Sequence, residues 1–531
     1  MNSERSLLIW KYISLAALLN LGLFCLRVLS SPAETAIQYI PDDGFYYLTL
    51  ARNYSDLGAW TFDSGLTLTS GFHPLLAYLL AGIYSLLHPG EWAFVQIGAG
   101  LTGLTALAAA IFLWRYAARQ ENTSLLAVCA MVFFSPSFLV NAVSITEWSL
   151  TLLLSLGYTG LVLSRPDSRQ KNDLGTAFTL ALLMSLARSD SGLWVFALFA
   201  VHQGAEIRAK GKSIHRLTAS GLAGALTGAA AGLLHNYVMT GSYLQSSAMV
   251  KTYWAQFNDQ IGYTLSYLFL RTVGVSGQEV SLPRLILLLF VIGTIALAVL
   301  SLLERRRNSN GAGEIAFDPQ QSRMAAAALT ALLGYTFFYF QNGAIQIWYS
   351  VNLIIPLMVL MQFLYRTLHQ LLGGVKLKRL FSGFAAAWIL ATSIFNLLQA
   401  QQIDERHSQW PYQKYMMQAG IALKENPLPG RVGAWNAGIF SYFQGGDIVN
   451  LDGVVNNDVY AYVITNTLPE YLERTQIRYL IDQEVMFSYD LVRRGGYESA
   501  EFLDSLQGIG SFGDPDDVEG HIILVEIGGG E

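Results

Sequence analysis

The stretch LLIWKYISLAALLNLGLFCLRVL, residues 7–29, is the first of the long apolar runs that decide the fold of this chain. A helix needs about 20 apolar residues to cross the hydrocarbon core of a bilayer, and this run is long enough. Arg5 and Lys11 lie before and within it, and no A-x-A cleavage site follows. We therefore predict an uncleaved first transmembrane helix rather than a signal peptide.

Eleven further apolar runs follow before residue 400. Only 13% of the 531 residues are charged and 53% are hydrophobic, whereas a soluble globular chain carries about 25% charged residues. Together these features predict an α-helical polytopic membrane protein with about ten to twelve transmembrane helices. The runs lie near 74–88, 93–114, 124–140, 147–163, 174–187, 191–203, 216–238, 281–303, 323–340, 346–364 and 379–398.

The chain changes character at about residue 401. From there on it carries 8 basic and 20 acidic residues, and short apolar strands alternate with helical patterns. We predict a transmembrane domain over 1–400 and a small soluble α/β domain, the tail, over 401–531. The segment WPYQKYMMQAGIALKE is expected to be a helix, and the expected strands are RVGAW, DIVNL, IRYLID and IILVEI.

Lys and Arg residues between the runs predict the orientation, because cytoplasmic loops carry an excess of both. The rule places the N-terminus inside and the tail outside. One conflict remains: two full crossings at 74–88 and 93–114 would put the basic RYAARQ outside. Either the 74–88 run does not cross fully, or the rule fails there. The basic connections are RYAARQ (115–120), SRPDSRQKN (164–172), EIRAKGKSIHR (206–216), ERRRN (304–308) and RTLHQLLGGVKLKR (366–379).

The first large outer loop, residues 31–73, carries two adjacent acids. Asp42 and Asp43 follow Pro41 and could cap a short interfacial helix from Gly44 to Tyr54, with Gly58 as its terminator.

Other ionisable residues fall on the same face, where their cost near the membrane often marks function. A carboxylate can take a proton from an attacking hydroxyl, and Arg or Lys can neutralise a phosphate. The conjunction predicts group transfer from a lipid-phosphate donor. The candidates are Asp42 and Asp43 as base, Arg188, Lys251 and Arg52 for phosphate, and Glu147, Asp190, His73 and Tyr349 for orientation.

Each candidate also has a structural interpretation. Arg188 and Asp190 could form an ion pair between two helix ends, and Glu147 could cap the following helix. Lys251 could extend to the interface, and His73 could only start a helix.

The sequence shows few signs of other chemistry. Cys25 and Cys129 lie in apolar runs, where they are expected to be core or lipid-facing residues, and no zinc spacing or disulfide framework accompanies them. No basic patch indicates nucleic-acid binding.

Several motifs resemble the GT-C superfamily of membrane glycosyltransferases, relatives of the protein O-mannosyltransferases and the aminoarabinose transferase. The likeness spans nearly the whole chain, and its first-loop motif is the most specific part. The matching stretches are PDDGFYYLTLARN (41–53), TFDSG (61–65), TSGFHPL (69–75), SITEWSL (144–150), LARSDSGLW (186–194), GSYLQSSAMVK (241–251) and WNAGIFSYFQGGDIVNLDGVVN (435–456).

The resemblance implies a GT-C fold in a bacterial inner membrane with a periplasmic tail. It implies a polyprenyl-phosphate sugar donor, an inverting mechanism and a lipid, glycan or protein acceptor. A first-loop acid acts as base or orients the acceptor, a role assigned to Asp42 or Asp43 with a slight preference for Asp42. A divalent metal ion is left open, since only some relatives use one. The tail would select the acceptor through Trp435, Asn436, Asp452 and Asn456.

The chain departs from the family pattern at Ser189 and Gln245, which each replace a proline, and Trp148 follows Glu147 without the usual Gly-Met before that acid. These departures keep a non-catalytic binding or assembly protein as one alternative. A lipid or solute transporter is the other, although neither inverted repeats nor midplane polar residues are visible.

Overall fold

The computed structural model describes most of the chain outside two long gaps. The apolar run 281–303, the connection 304–308 and most of the run 379–398 lie outside the described residues. The described residues are 3–166, 168–210, 214–257, 319–339, 341, 345–371, 383, 386, 387, 389–391, 393, 394, 408–487, 495–497, 500–518 and 520–528.

The regular secondary structure of the membrane part is helical within the described residues, and residues 58–73 form an irregular connection. Four short 3-10 turns, at Ile37–Tyr39, Ser189–Ser191, Ala255–Phe257 and Ile347–Ser350, join some of its helices. The helices are α1 (Ser3–Ser30), α2 (Ala33–Ala36), α3 (Asp42–Leu57), α4 (Pro74–Leu87), α5 (Glu91–Arg119), α6 (Thr123–Phe133), α7 (Pro136–Ala142), α8 (Trp148–Ser164), α9 (Lys171–Ala187), α10 (Gly192–Lys210), α11 (Arg216–Thr240), α12 (Ser246–Trp254), α13 (Pro319–Tyr339) and α14 (Val351–Leu371).

Within the described ranges, four helices are long and apolar enough to cross a membrane. They are α1, α5, α11 and the segment Ile347–Thr367 that includes most of α14. A fifth span arises if α6 and α7 are one helix broken by a bend of 67°. Helices α4 and α8 are apolar but shorter.

The residues on both sides of helix α4 contact the tail. Just before it, the Ser70 amide donates to Asn457 of the tail at 2.9 Å, and just after it Lys424 of the tail forms an ion pair with Glu91. The Tyr442 hydroxyl also donates to the Glu91 carbonyl at 2.6 Å. Fourteen residues make a helix of about 21 Å, shorter than the hydrocarbon core of about 30 Å. Of the two alternatives left by the charge pattern, the structure supports an incomplete crossing at 74–88.

The first outer loop contains the predicted helix in a longer form. Helix α3 begins at Asp42 and ends at Gly58, which has the left-handed φ of 70° that favours glycine. Pro41 holds the N-cap position, and its own side chain makes no capping hydrogen bond. The expectation that Asp42 and Asp43 cap their own helix is therefore wrong, because both lie inside its first turn.

Small residues let α9 and α11 approach closely. A Cβ at Gly224 would overlap the Phe178 backbone, and one at Gly228 would overlap the Leu182 carbonyl. Such close backbone approach is how helices pack in lipid, where no hydrophobic drive brings them together.

The tail is a five-stranded sheet with helices, in the order β2-β1-β3-β5-β4. β1 pairs in parallel with β2 and β3, whereas β5 is antiparallel to β3 and β4. The four predicted strands are confirmed, and β4 is additional. The elements are α15 (Gln413–Glu425), β1 (Arg431–Ala434), α16 (Ala437–Gln444), β2 (Val449–Asn450), α17 (Tyr460–Thr465), α18 (Leu468–Thr475), β3 (Ile477–Gln483), α19 (Ala500–Asp504), β4 (Leu506–Phe512) and β5 (Ile522–Ile527).

Candidate functional site

Polar residues predicted from five separate segments meet beside the first turns of α3. They come from α3 itself, the start of α8, the turn between α9 and α10, helix α12 and the turn before α14. The contacts below join them into one cluster, with the tail lying against it.

Arg188 lies between two carboxylates. Its guanidinium contacts Glu147 through Nη1, and it contacts Asp190 at 2.8 Å from Nε and at 3.0 Å from Nη2. All three residues are buried. The Tyr339 hydroxyl donates to Asp190 at 3.1 Å, and Asn352 donates to that hydroxyl at 3.1 Å. The structural ion pair considered for Arg188 and Asp190 is present, with Glu147 as a second acid.

Glu147 occupies the N-cap position of α8, but its side chain makes no capping hydrogen bond. It accepts instead from the Tyr47 hydroxyl at 2.9 Å and from Arg188. His73 holds the N-cap position of α4, and its Nε2 lies 3.9 Å from the Glu147 carboxylate. Glu147 therefore links α3, α4 and the Arg188 turn, and the capping interpretation of this residue is wrong.

Lys251 is buried, so the interpretation of this residue as a side chain reaching to the interface is wrong. Its Nζ donates to the Tyr349 hydroxyl at 3.0 Å. The Arg188 guanidinium carbon lies 4.3 Å from the centre of the same Tyr349 ring, within cation–π range. Tyr349 thus contacts both cations, and the direct partner of Lys251 is a neutral hydroxyl rather than a carboxylate.

Asp43 is partly exposed and makes no hydrogen bond among the described residues. Burial raises the pKa of its carboxyl above the ordinary value; Lys251 opposes that shift and Glu147 adds to it. Asp43 therefore lies within electrostatic reach of Lys251, and no hydrogen-bond donor among the described residues binds its carboxylate.

Asp42 is engaged quite differently. Its two carboxylate oxygens accept the backbone N–H groups of Gly438, at 3.1 Å, and Ile439, at 2.7 Å. Both donors belong to the first turn of α16 in the tail. Burial is the main reason that the pKa of Asp42 is raised to about 7; those two hydrogen bonds oppose the shift.

Arg52 lies apart from the other cations. It follows Asp43 by nine residues, which places it about 14 Å further along the helix axis. Its Nη1 donates to the Tyr442 carbonyl of α16 at 3.3 Å. The structure therefore places Arg52 against the tail rather than beside Arg188 and Lys251.

Of the four tail residues predicted to select the acceptor, three make their hydrogen bonds within the tail. Trp435 and Asn456 are buried: the Trp435 ring nitrogen donates to Gly495 and the Asn456 amide to Tyr471. Asn436 donates to Asp482.

Only Asp452 interacts electrostatically with the cluster, through Asp43 and Lys251. Its carboxylate accepts the Val454 N–H at 2.7 Å, and burial raises its pKa to about 7.

Three contributors were missed by the sequence analysis: Tyr47, Tyr339 and Asn352. Tyr47 lies within a first-loop motif, but only its position one turn after Asp43 could have suggested that it faces the same cluster. Tyr339 and Asn352 flank the turn that carries Tyr349, and no local signal distinguishes them from core residues.

In the part of the chain that the structure describes, no three His, Cys, Asp or Glu side chains cluster in a way that could hold a metal ion. The divalent metal left open by the sequence therefore has no assigned ligands here.

Comparison with known proteins bears on the fold. A crystal structure of ArnT from Cupriavidus metallidurans bound to undecaprenyl phosphate superposes with a TM-score of 0.54 at 12% identity. The match covers 96% of this chain and 98% of that one. This chain has the GT-C fold. The prediction from the first-loop motif is confirmed at the level of architecture, and at this identity the likeness shows the fold alone.

Two further comparisons complete the picture of this GT-C chain. The oligosaccharyltransferase of Archaeoglobus fulgidus, solved with a tethered acceptor peptide, matches at a TM-score of 0.48 and 12% identity, over 95% of this chain and 73% of its own. Residues 401–519 match a family model described as a domain of unknown function, DUF8728. No curated protein sequence matches the chain.

Proposed function

We propose that the chain is a glycosyltransferase that moves a sugar from a polyprenyl-phosphate donor to a hydroxyl acceptor at the outer face of the membrane. The observation that carries the proposal is that Asp43 and Lys251 influence each other electrostatically, while neither forms an ion pair with another of the described residues. One is a partly exposed carboxylate without a hydrogen-bond donor among the described residues, and the other is a buried cation facing a neutral hydroxyl. The GT-C fold, shared with an ArnT solved with undecaprenyl phosphate, supports the same class of donor.

Asp43 is the base in this mechanism. Its carboxylate takes the proton of the acceptor hydroxyl while the acceptor oxygen attacks the anomeric carbon. The bond from that carbon to the phosphate oxygen breaks on the opposite side, so the configuration inverts and polyprenyl phosphate leaves. Asp43 is preferred over Asp42 because both Asp42 oxygens are already bound to tail amides.

Lys251 neutralises the charge that grows on the departing phosphate. Arg188 is held between Glu147 and Asp190 and stacks on Tyr349. The role of Arg188 is therefore to fix the Tyr349 ring, whose hydroxyl orients Lys251. His73 lies beside Glu147, which contacts Arg188, and the two complete this part of the cluster. In the tail, Asp452 is the candidate residue for binding the acceptor, because it interacts electrostatically with Asp43.

This function places residues 1–400 in a bacterial inner membrane, with the N-terminus inside and the 401–531 domain in the periplasm. A sugar acceptor on a lipid, a glycan or a protein could reach the site from that side. A donor with a long polyprenyl chain suits a site at the edge of the membrane domain, where that chain can remain in the lipid.

The test is sugar release from a panel of radiolabelled polyprenyl-phosphate sugars, with envelope extract supplying the acceptor. Free polyprenyl phosphate is followed by chromatography. Asp43→Asn should lower kcat by at least about 100-fold, the usual contribution of a general base. Lys251→Met should lower kcat/KM for the donor by about the same factor, since it removes a charge-assisted phosphate contact.

Asp56→Asn is the matched control, because Asp56 is an exposed acid on the same helix. It should turn over at the wild-type rate. Unaltered transfer by Asp43→Asn would refute the assignment of the base. Donor binding without release from any donor would favour the non-catalytic scaffold instead.

A further inference from the structure

Helix α16 of the tail begins without a cap of its own. The first four N–H groups of any helix lack partners within it. Asn436 holds the N-cap position but makes no capping hydrogen bond, because its side chain donates to Asp482. The N-terminus of α16 is nevertheless buried, and buried N–H groups need acceptors.

Helix α3 of the first outer loop supplies those acceptors. Asp42 accepts from Gly438 and Ile439, the second and third residues of α16. The Tyr46 hydroxyl, one turn further along α3, accepts from Ala437 at 3.2 Å. Three of the four free N–H groups therefore bind side chains that lie almost 400 residues earlier in the sequence.

The other end of α16 is also matched by α3. Arg52 donates to the Tyr442 carbonyl in the last turns of α16, and its guanidinium lies 5.2 Å from the centre of the Tyr442 ring. A helix carries partial positive charge at its N-terminus and partial negative charge at its C-terminus. Asp42 therefore lies at the positive N-terminal end of α16, and Arg52 lies near its negative C-terminal end.

The capping is reciprocal. Gln413, which begins α15 of the tail, is buried. With its amide oriented to satisfy its neighbours, its oxygen accepts the Asp42 N–H at 3.0 Å, and its nitrogen donates to the carbonyls of Ile37 and Ile40. Asp42 thus receives a cap from the tail through its backbone and gives one through its side chain.

We propose that Asp42 is a positioning residue that caps α16 of the tail from another domain and so fixes the first turn of α3, with Asp43, against the site. Consecutive helical residues point about 100° apart, so docking Asp42 on the tail aims Asp43 elsewhere. This inference rests on the proposed function for the role of Asp43. The docking itself stands on the contacts alone.

The contact surface leaves no room for adjustment at one position. A Cβ at Gly438 would overlap the Asp42 backbone carbonyl oxygen and crowd its carboxylate. Gly438→Ala therefore disturbs the docking while leaving both acids intact. Gly508→Ala, also in the tail, is its control because nothing lies within 4 Å of a Cβ there.

The experiment measures two quantities on the full-length protein in detergent. Hydrogen exchange of the peptide spanning 436–444 reports docking, and steady-state kinetics report kcat and KM for the donor. Asp42→Ala removes the cap, whereas Asp42→Asn keeps one acceptor oxygen. Asn caps helices about as well as Asp, so the Asn variant should still hold α16.

Asp42→Ala and Gly438→Ala should speed exchange at the start of α16 by about tenfold, the size of a lost cap. Both should lower kcat while leaving KM for the donor within about twofold, since Lys251 and Tyr349 are untouched. Asp42→Asn should retain most of the protection and turn over within about fivefold of wild type. Gly508→Ala should match wild type in both measurements.

Two results would overturn the inference. In one, Asp42→Asn loses activity as completely as Asp42→Ala while α16 stays protected, which would make Asp42 the base. In the other, Asp42→Ala leaves exchange of 436–444 unchanged, so that the cap holds nothing. If no donor supports turnover in the wild type, the proposed function fails and the exchange measurement still decides the docking.

Discussion

At the scale of single residues, two neighbouring carboxylates have been given different surroundings. Asp42 has two backbone donors from the tail, whereas Asp43 has none among the described residues and a lysine within electrostatic reach. Burial raises the pKa of both groups. Asp43 has both carboxylate oxygens free of hydrogen bonds from the described residues, so it is the more available of the two to take a substrate proton.

A pH profile of the transferase reaction tests this distinction. A base works when deprotonated, and the pKa of Asp43 lies above its ordinary value of 3.8. We therefore expect kcat/KM to rise with pH as Asp43 loses its proton. Lys251 lowers that pKa, so Lys251→Met should move the rise to higher pH.

The measurement is kcat/KM from about pH 4 to about pH 8 at constant ionic strength, with Asp56→Asn as the control. A rate that falls with rising pH, or a profile that Lys251→Met leaves in place, would contradict the assignment of Asp43.

The sequence predicted the charged members of the cluster, because ionisable residues near a membrane are energetically costly and often mark function. It could not divide Asp42 from Asp43. The amides that bind Asp42 lie 396 positions away, and nothing local to the PDDG stretch indicates which acid they will choose. For the same reason the sequence could not predict that Arg52 binds the Tyr442 carbonyl, which lies 390 positions away.

At the scale of elements, the contact between α9 and α11 depends on glycines. Gly224 and Gly228 face α9 so closely that a methyl group would meet its backbone, while Gly232 on the same helix faces open space.

We expect Gly224→Ala to lower the melting temperature of the purified protein by several degrees, because α11 must move away from Phe178. Gly232→Ala adds the same methyl group where nothing lies within 4 Å. It should leave the melting temperature unchanged or slightly raised, since alanine favours a helix. Equal effects of the two substitutions would show that close packing of α9 on α11 is not what the glycines provide.

Periodicity predicted elements well where the apolar pattern was unbroken. RVGAW, IRYLID and IILVEI all became strands of the tail sheet. Strand β4, with the sequence LQGIGSF, was missed because its glycines interrupt the pattern and most of it is exposed. It forms because β5 offers an antiparallel partner, which is tertiary information.

At the scale of the whole molecule, the tail touches the segments on both sides of α4. Asn457 meets Ser70 before the helix, and Lys424 meets Glu91 after it. These contacts favour an α4 that does not cross the membrane, and this arrangement would agree with a cytoplasmic RYAARQ connection. The charge pattern left two alternatives, an incomplete crossing at 74–88 or a failure of the rule there, and the contacts with the tail favour the first.

This topology can be checked by labelling single cysteines in intact cells. Gly90→Cys, just after α4, should react with a membrane-impermeant maleimide without permeabilisation, since Gly90 is exposed and has room for a side chain. Gln120→Cys, at the end of α5, is the matched exposed position on the other side and should react only after permeabilisation. The native Cys25 and Cys129 are buried and should give little background. Labelling of Gly90→Cys only after permeabilisation would mean that α4 crosses.

The capping of α16 by Asp42 also implies an order of events during synthesis of the chain. Asp42 is added to the nascent chain 397 residues before Ile439. At about 5–20 residues per second, that interval lasts roughly 20–80 s. Throughout it, Asp42 and the neighbouring Phe45, which later packs on Tyr442 and Phe443, wait without their partners. A segment made late therefore completes the contacts of a segment made much earlier.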